Sequence, residues 1–372
     1  MKIKLHLAIR SLNIGGAEKQ FITLVQNLDK DIFELSVSTM YGGLQEDKLS
    51  SLKNVNYYNL AKKGRYDVLG FYAKYKKLLT NINPDIIYSF KEEMNVFSYL
   101  CKPKQTKIIW GFRSSNMDLT KYGKVSQLLS YLQKRLSKNI DMIISNSYAS
   151  ILHHKSLGYT LKNHTVVANG IDTNLYKKNL AYREKFRKKH HLKSSDIAIG
   201  IVARIDQMKG YTVFVKSAKN ILELYNNVYF FAVGDGDIKI KKECESILKE
   251  FNHTKFIWLE KQLNMEKIYS GLDISTSSSI FGEGFSNSIA EAMSCSLPCI
   301  VTDVGDSRYI VKNTGEIVKP NDVQDLTKGF KKLLNSDYQD LGIKANERIV
   351  NNFSVDKMVQ NTKQVVKELY EN

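Results

Sequence analysis

Glu283 and Glu291 stand eight positions apart in EGFSNSIAEAM, just past the apolar run LDISTSSSI. Eight residues is slightly more than two helical turns, so both carboxylates can lie along one side of a single helix. Between them, Gly284, Phe285 and Ser286 read as a loop entering a helix at Asn287 and Ser288. The first turn of that helix presents backbone N–H groups without intrahelical partners. Together with the helix dipole they suit an anion, most often a phosphate. A carboxylate at each end of an anion site fits a ligand with hydroxyls on both flanks of a phosphate, the layout of a nucleotide-sugar. The plainer reading is a surface helix with two solvated glutamates, and other segments must decide between them.

Two further loops carry the same chemistry. Arg204 and Lys209, in ARIDQMKG, leave the end of an apolar run where α/β sheets bind ligands. Arginine forks onto two oxygens and lysine supplies a point charge, so together they can neutralise a pyrophosphate. Gly15 and Gly16, in NIGGAE, follow the first apolar run and open a helix. Paired glycines there let the backbone approach a ligand closely, although the three-glycine dinucleotide spacing is missing. Asp235 and Asp237, in GDGD, form an Asp-x-Asp that reads as a glycine-rich turn in preference to a divalent metal site. Lys261 and Gln262 follow the next run and reach toward the same sheet end. Asn146-Ser147 and Asn169 to Asp172 close two runs of the first half and read as shaping residues without a direct catalytic part.

The elements that must position these residues follow an alternating pattern. Strands are expected at Lys2–Ile9, Leu35–Met40, Val55–Leu60, Asp85–Phe90, Lys107–Phe112, Asp141–Asn146 and His164–Ala168. The second half repeats the scheme at Ile197–Ala203, Tyr229–Gly234, Lys255–Leu259, Asp273–Ser277, Cys299–Thr302 and Gly315–Val318. Amphipathic stretches such as Glu18–Leu28, Val68–Leu79 and Val125–Leu136 lie between strands, which implies parallel sheets covered on both faces. Thirteen strands exceed one ordinary open sheet, so two doubly wound Rossmann-like domains are expected. The basic, aliphatic-poor stretch YKKNLAYREKFRKKHHLKSSD reads as a linker with a short exposed helix. It puts the domains at 1–175 and 176–355, with a last helix over 356–372 able to cross back to the first.

Composition narrows the partners. The 372 residues are 43% apolar and 25% charged, the proportions of a soluble globular protein, and no apolar run is long enough to span a bilayer. The start MKIKLHLAIR reads as a strand in place of a signal peptide. Four sparse cysteines fit a reducing cytoplasm, and Cys295 and Cys299 lack the spacing of a zinc knuckle. Fifty-five Lys and Arg against 38 Asp and Glu leave +17, of which about +12 precedes residue 176. A one-sided basic surface implies an anionic partner: membrane lipid, nucleic acid or a polyphosphate substrate. No zinc signature, RNA-recognition motif or helix-turn-helix accompanies the charge, so nucleic acid is not the expected partner. The segment Lys121–Lys138 carries Val125, Leu128, Leu132 and Leu136 at helical spacing between cations, and Lys62, Lys63, Arg65, Lys74, Lys76 and Lys77 share its half. That pattern suits an anionic membrane surface, or a core-facing stripe with a basic edge.

With Gly15-Gly16-Ala17-Glu18, Arg204 with Lys209, and Glu283 to Glu291 followed by Ala-Met, the chain resembles the retaining GT-B glycosyltransferases of family 4. The resemblance covers nearly the whole chain and is most specific in the second half. It implies two Rossmann-like domains facing each other across a cleft, the first binding acceptor and the second a nucleotide-sugar, with UDP the base most frequent in the family. It implies that Glu291 holds the ribose, that Arg204 and Lys209 hold the pyrophosphate, and that Gly15-Gly16 approach it from the other domain. Glu283 with the backbone of Phe285 and Ser286 would grip the sugar, and the Asn287 and Ser288 amides would cap the phosphate. No metal or other cofactor is implied. The expected activity is hexosyl or N-acetylhexosaminyl transfer to a lipid-linked (polyprenyl pyrophosphate) or saccharide acceptor at the inner face of the plasma membrane. One position departs from the pattern: many relatives have a histidine after the fifth strand, where this chain has Arg113. Arginine is no base at neutral pH, but it can hold a sugar hydroxyl or a phosphate. His6, His153, His154, His190, His191 and His253 fall elsewhere and take no catalytic part. A sugar-nucleotide epimerase on the same fold, or a nucleic-acid-binding protein, are the alternatives.

Overall fold

The computed structural model describes residues 2–113, 124–250 and 254–372, with the side chains of 124–126 left aside. Ser114, Ser115 and Asn116, the Lys121–Gly123 start of the basic segment, and His253 lie outside the described residues, as does the Val125 side chain. The chain divides into two compact units, 1–170 with 355–372, and 171–354.

In the first unit the strands are β1 (Ile3–Ile9), β2 (Phe33–Thr39), β3 (Val55–Asn59), β4 (Ile86–Phe90), β5 (Lys107–Phe112), β6 (Met142–Ser145) and β7 (His164–Val166). The helices between them are α1 (Gly16–Asn27), α2 (Asp47–Ser50), α3 (Val68–Ile82), α4 (Glu92–Cys101), α5 (Lys124–Leu136) and α6 (Tyr148–Ser156). The sheet order is β3-β2-β1-β4-β5-β6-β7, all parallel among the described residues. Strands buried on both faces need apolar residues on both sides. That is why IKLHLAI and IIYSF read as near-continuous apolar runs.

The second unit holds α7 (Leu180–Lys189), β8 (Ile197–Val202), α8 (Tyr211–Leu222), β9 (Val228–Val233), α9 (Ile238–Lys249), β10 (Phe256–Leu259), α10 (Met265–Gly271) and β11 (Ile274–Ser277). It continues with α11 (Asn287–Ser294), β12 (Cys299–Thr302), α12 (Ser307–Val311), β13 (Glu316–Val318), α13 (Val323–Leu334) and α14 (Tyr338–Phe353). Its sheet order is β10-β9-β8-β11-β12-β13, again parallel among the described residues. Each unit is doubly wound, with the order reversing beside its first strand, so the end of β1 and the end of β8 are the ligand-binding positions of such sheets.

The chain leaves the first unit at Gly170, whose N–H and C=O both bond the buried Gln20 amide at 2.9 and 3.0 Å. Ile171 N already bonds Phe353 O at 2.8 Å, and Tyr176 packs on Tyr269. The division therefore falls at 170, a few residues before the polar stretch that suggested 175. That stretch is no free linker: α7 buries Phe186 and Arg187, and Arg183 and Arg187 both pair with the half-buried Asp273 at 2.6 and 3.1 Å. A last helix, α15 (Val355–Glu371), returns to the first unit, where it buries Met358, Thr362 and Val366 and packs on α1. Helix α5 buries Ser130 and Gln133, packs Leu136 against the cluster of Ile108 and Trp110, and exposes Leu128 and Tyr131, so only part of its apolar stripe faces the core.

Candidate active site

In the second unit the loop after β8 is built tightly. Asp206 accepts a bond from Lys209 N at 3.3 Å, capping a single 3₁₀ turn over Gln207–Lys209. Gly210 follows at φ +62°, and a Cβ there would stand 2.1 Å from Ser278 O, so only glycine fits. Ser278 Oγ donates to Lys209 O at 2.9 Å, and Ile280 N donates to Met208 O at 2.8 Å. These bonds tie the β8 loop to the loop after β11.

The consequence is that Lys209 Nζ meets Glu283 Oε1 at 2.5 Å. Glu283 is only 7% exposed, and Ser279 Oγ donates to the same carboxylate oxygen at 2.6 Å. Ser279 is itself held from behind, because Thr302 Oγ1 donates to its carbonyl at 2.6 Å. Gly305, at φ +62°, lets its backbone lie against Glu283, where a Cβ would be 2.4 Å from Glu283 O. Arg204 instead reaches outward: its guanidinium pairs with Asp206 Oδ2 at 2.6 Å and its side chain is 72% exposed.

Helix α11 begins at Asn287 after Ser286 in extended backbone, with no side-chain hydrogen bond capping its start. The two carboxylates thus do not share a helix. Glu291 lies on α11, while Glu283 lies in the loop before it, because Gly282 at φ +79° turns the chain ahead of the helix. Both are nevertheless buried, Glu291 at 8% exposure, so the solvated surface helix is excluded. Glu291 sits near Tyr269 and Cys295: burial first, then the Glu291 charge, raises the phenol and the thiol above their ordinary ranges. Phe285 packs its ring on Phe353 at 5.3 Å, which turns its side chain into the core and leaves its backbone on the loop. The Ser286 and Ser288 hydroxyls lie 3.2 Å apart at the helix start. Asp237 accepts from Lys239 N at 2.8 Å and caps α9, the structural role expected of that turn. Among the described residues no group of three or more His, Cys, Asp or Glu is arranged to hold a metal ion.

In the first unit Gly15 precedes and Gly16 opens α1. A Cβ on Gly15 would stand 2.3 Å from Glu18 Oε2, so the Glu18 carboxylate folds back over the helix start, where the dipole favours it. Lys91 pairs with that carboxylate. Arg113, at the end of β5, donates from Nη2 to Tyr88 Oη at 2.5 Å and lies 4.2 Å above the Phe90 ring. Its Nε and Nη1 have no hydrogen-bond partner among the described residues. Three of the histidines are packed into the fold. His6 is fully buried between Ser36 and Ser38, His154 stacks on Phe112 and bonds Ser150 O, and His190 packs on Phe186.

Sequence reasoning therefore named Lys209 and Glu283 without foreseeing that they pair, and it missed Ser279, Thr302 and Lys91. Ser279 lies four residues before Glu283 within the run SSSI, a spacing that signals nothing until Gly282 turns the chain.

The chain is similar to known proteins over nearly its whole length. The family model described as Glycosyltransferase Family 4 matches residues 14–175, and that of Glycosyl transferases group 1 matches residues 182–353. The chain is 24% identical over 360 residues to a Campylobacter jejuni enzyme, covering 90% of this chain and 91% of that one. That relative is N-acetylgalactosamine-N,N'-diacetylbacillosaminyl-diphospho-undecaprenol 4-alpha-N-acetylgalactosaminyltransferase. The chain is also 26% identical over 215 residues to the Escherichia coli UDP-Gal:alpha-D-GlcNAc-diphosphoundecaprenol alpha-1,3-galactosyltransferase, covering 55% of this chain and 53% of that one. The crystal structure of Anabaena HepE in complex with UDP superposes with a TM-score of 0.83 at 18% identity, covering 98% of this chain and all of that one. Two doubly wound units, matched over nearly their whole length by these two family models, make this chain a GT-B glycosyltransferase of the family 4 type.

Proposed function

We propose that this glycosyltransferase moves a sugar from a UDP-sugar, with retention, onto a saccharide carried by a polyprenyl diphosphate, in the synthesis of a bacterial surface polysaccharide or glycolipid. The observation that carries the proposal is the buried Lys209–Glu283 pair beside the start of α11. One cation, one carboxylate and one helix N-terminus supply partners for a phosphate and for the hydroxyls on either side of it. The UDP complex of HepE and the diphosphoundecaprenol acceptors of the two relatives support the choice of donor and acceptor class.

In this reading the second unit binds the donor and the first the acceptor. Glu291 takes the ribose hydroxyls, Arg204 and Lys209 the pyrophosphate, and the Asn287 and Ser288 amides its distal phosphate. Gly15 and Gly16 add backbone donors from the first unit. Glu283, with the backbone of Phe285 and Ser286, grips the sugar. When the nucleoside diphosphate leaves, charge develops on the β-phosphate, and the Lys209 ammonium stabilises it without solvent reorganisation. The site offers no assured nucleophile for a double displacement, which favours a front-face, ion-pair-like transfer. Arg113 takes a sugar hydroxyl or a phosphate. Turnover is metal-independent, in keeping with the capping role of Asp237. The enzyme works at the anionic inner surface of the plasma membrane; among the described residues no helix is long and apolar enough to cross it.

The test is thermal unfolding against a panel of nucleotides and nucleotide-sugars with chelator present. A ligand that binds only the native state raises the midpoint with occupancy. A rise with UDP or one UDP-sugar, unchanged by chelator, is expected. A rise with DNA or RNA alone would overturn the reading. Sugar returned altered, with none passed to an acceptor, would make the protein an epimerase.

A further inference from the structure

The loop from Glu283 to Ser286 is held from two directions. Lys209 and Ser279 take the Glu283 carboxylate, while the backbone behind it rests on residues further along the chain. Asp306 N donates to Gly284 O at 3.1 Å, and Ile310 N donates to Asp306 O at 2.8 Å. Helix α12 is only five residues long, so its last carbonyls have no intrahelical partner. Arg348, on α14, supplies one: its Nε donates to Ile310 O at 2.7 Å and its Nη2 to Tyr309 O at 2.5 Å. A relay of hydrogen bonds thus runs from this guanidinium through α12 to the Gly284 carbonyl.

The same side chain reaches the loop by a second path. Arg348 Cζ lies 5.3 Å from the centre of the Phe353 ring, and that ring lies 5.3 Å from the ring of Phe285. Tyr309 closes the stack, 5.8 Å from both Arg348 Cζ and the Phe353 ring. Phe285 and Phe353 are both buried, and in a close-packed interior one ring cannot shift without displacing its neighbour. Gly284 and Phe285 flank a single peptide bond, so both paths end on one peptide unit. Arginine suits this place because its planar fork can bond two carbonyls while its face lies on an aromatic ring.

We propose that Arg348 is a positioning residue for the donor sugar, fixing the Gly284–Phe285 peptide and with it the place where the Glu283 loop meets the sugar. It acts through α12 and Phe353 and not by contact with the donor. The inference rests on the reading of this loop as the sugar-gripping element and adds a residue to it. The groups proposed for the nucleotide lie elsewhere. Arg204 and Lys209 belong to the β8 loop, and Glu291 to α11, which is anchored by its own buried Ile289, Ala290 and Met293. Small displacements of a positioning group are costly to the part of the ligand it orients. Loss of Arg348 therefore weakens the hold on the sugar and spares UDP.

The experiment is calorimetric titration of the full chain with UDP and with UDP-glucose, UDP-galactose and their 2-acetamido counterparts. The sugar nucleotide that the wild type binds most tightly is carried forward, and its Kd is compared with that of UDP. Arg348→Ala is expected to weaken the sugar nucleotide roughly tenfold while the UDP affinity stays within about twofold, and kcat/KM falls with the former. Arg348→Lys, with one donor group in place of a fork, falls between. Phe353→Leu breaks the ring path with the hydrogen bonds intact and moves the same ratio several-fold, which keeps the test open if Arg348→Ala does not fold. A ratio that stays at its wild-type value in these variants, whether the two affinities hold or fall together, overturns the proposal and leaves the nucleotide site standing. A wild type that binds none of the compounds overturns the donor reading as well.

Discussion

Lys209 and Glu283 neutralise each other at 2.5 Å, and Ser279 holds the same carboxylate oxygen, so three side chains from two loops form one unit. In the proposed reading, removing the ammonium takes away the charge that would meet the leaving phosphate. Lys209→Ala is expected to lower turnover by a factor on the order of 10²–10³, the scale of losing one preorganised donor to developing charge. Arg204→Ala, on an exposed side chain, cripples turnover with an unchanged thermal midpoint. Near-normal steady-state rates in both variants would sink the donor-site assignment. Ser279→Ala separates positioning from folding. The serine side chain makes one bond, to Glu283, while its backbone remains held by Thr302. A hydrogen bond to a charged group is worth about 1.5–3 kcal/mol, so kcat falls roughly 10- to 100-fold. The donor KM changes less, and the melting midpoint stays within a few degrees. A variant with wild-type kcat would show that Glu283 needs no such support.

At the scale of elements, Asp273 is the joint between α7 and the sheet: it takes Arg183 and Arg187 and accepts Ala198 N at 2.8 Å. Breaking a buried ion network by removing its acid strands two cations, so Asp273→Ala should cost roughly 3–5 kcal/mol in chemical denaturation. A loss under 1 kcal/mol would mean that α7 is merely laid on the surface. A second element-scale joint is His6 on β1, clamped between Ser36 and Ser38 of β2 at 2.8 and 2.9 Å. Burial pushes its imidazole down to about 3, from an unfolded value of 6.5. A base with a depressed folded value contributes its full stability above the unfolded value and loses it as pH falls. The loss runs from 6.5 toward 3, at about 1.4 kcal/mol per pH unit. Acid titration of the unfolding free energy should show this slope, and His6→Gln should flatten it. The strands themselves were legible, all thirteen within two residues of their expected ends, because parallel strands buried on both faces cannot avoid apolar runs. What a linear pattern hides is how a side chain is used. The basic run at α7 looked solvated until Asp273, some 90 positions later, came to meet it. The Glu283–Glu291 spacing suggested one helix because nothing local reveals the turn at Gly282.

The whole molecule is two doubly wound units whose chain crosses between them twice, after Gly170 and after Ser354. The second crossing makes the terminus part of the first unit's core: Met358 and Val366 belong to the same apolar cluster as β1, β2 and α1. Lys107 Nζ bonds Leu369 O at 2.7 Å, and Lys363 pairs with Asp29 at 3.1 Å. Gly170 sits so close to this segment that a Cβ would be 2.8 Å from Val355 Cα, so the exit and the return of the chain are packed as one joint. Burying two large apolar side chains contributes several kcal/mol, about 1.5–3 each. Deleting residues 355–372 should therefore unfold or strongly destabilise the first unit while the second keeps its own core. Heated with UDP, the truncated chain is expected to retain a transition that the nucleotide raises, because the proposed donor contacts of Lys209, Glu283 and Glu291 all lie in residues 171–354. The acid-sensitive share carried by His6 disappears from the same melt. Loss of the nucleotide-dependent transition along with the helix would show that residues 171–354 do not hold the nucleotide by themselves.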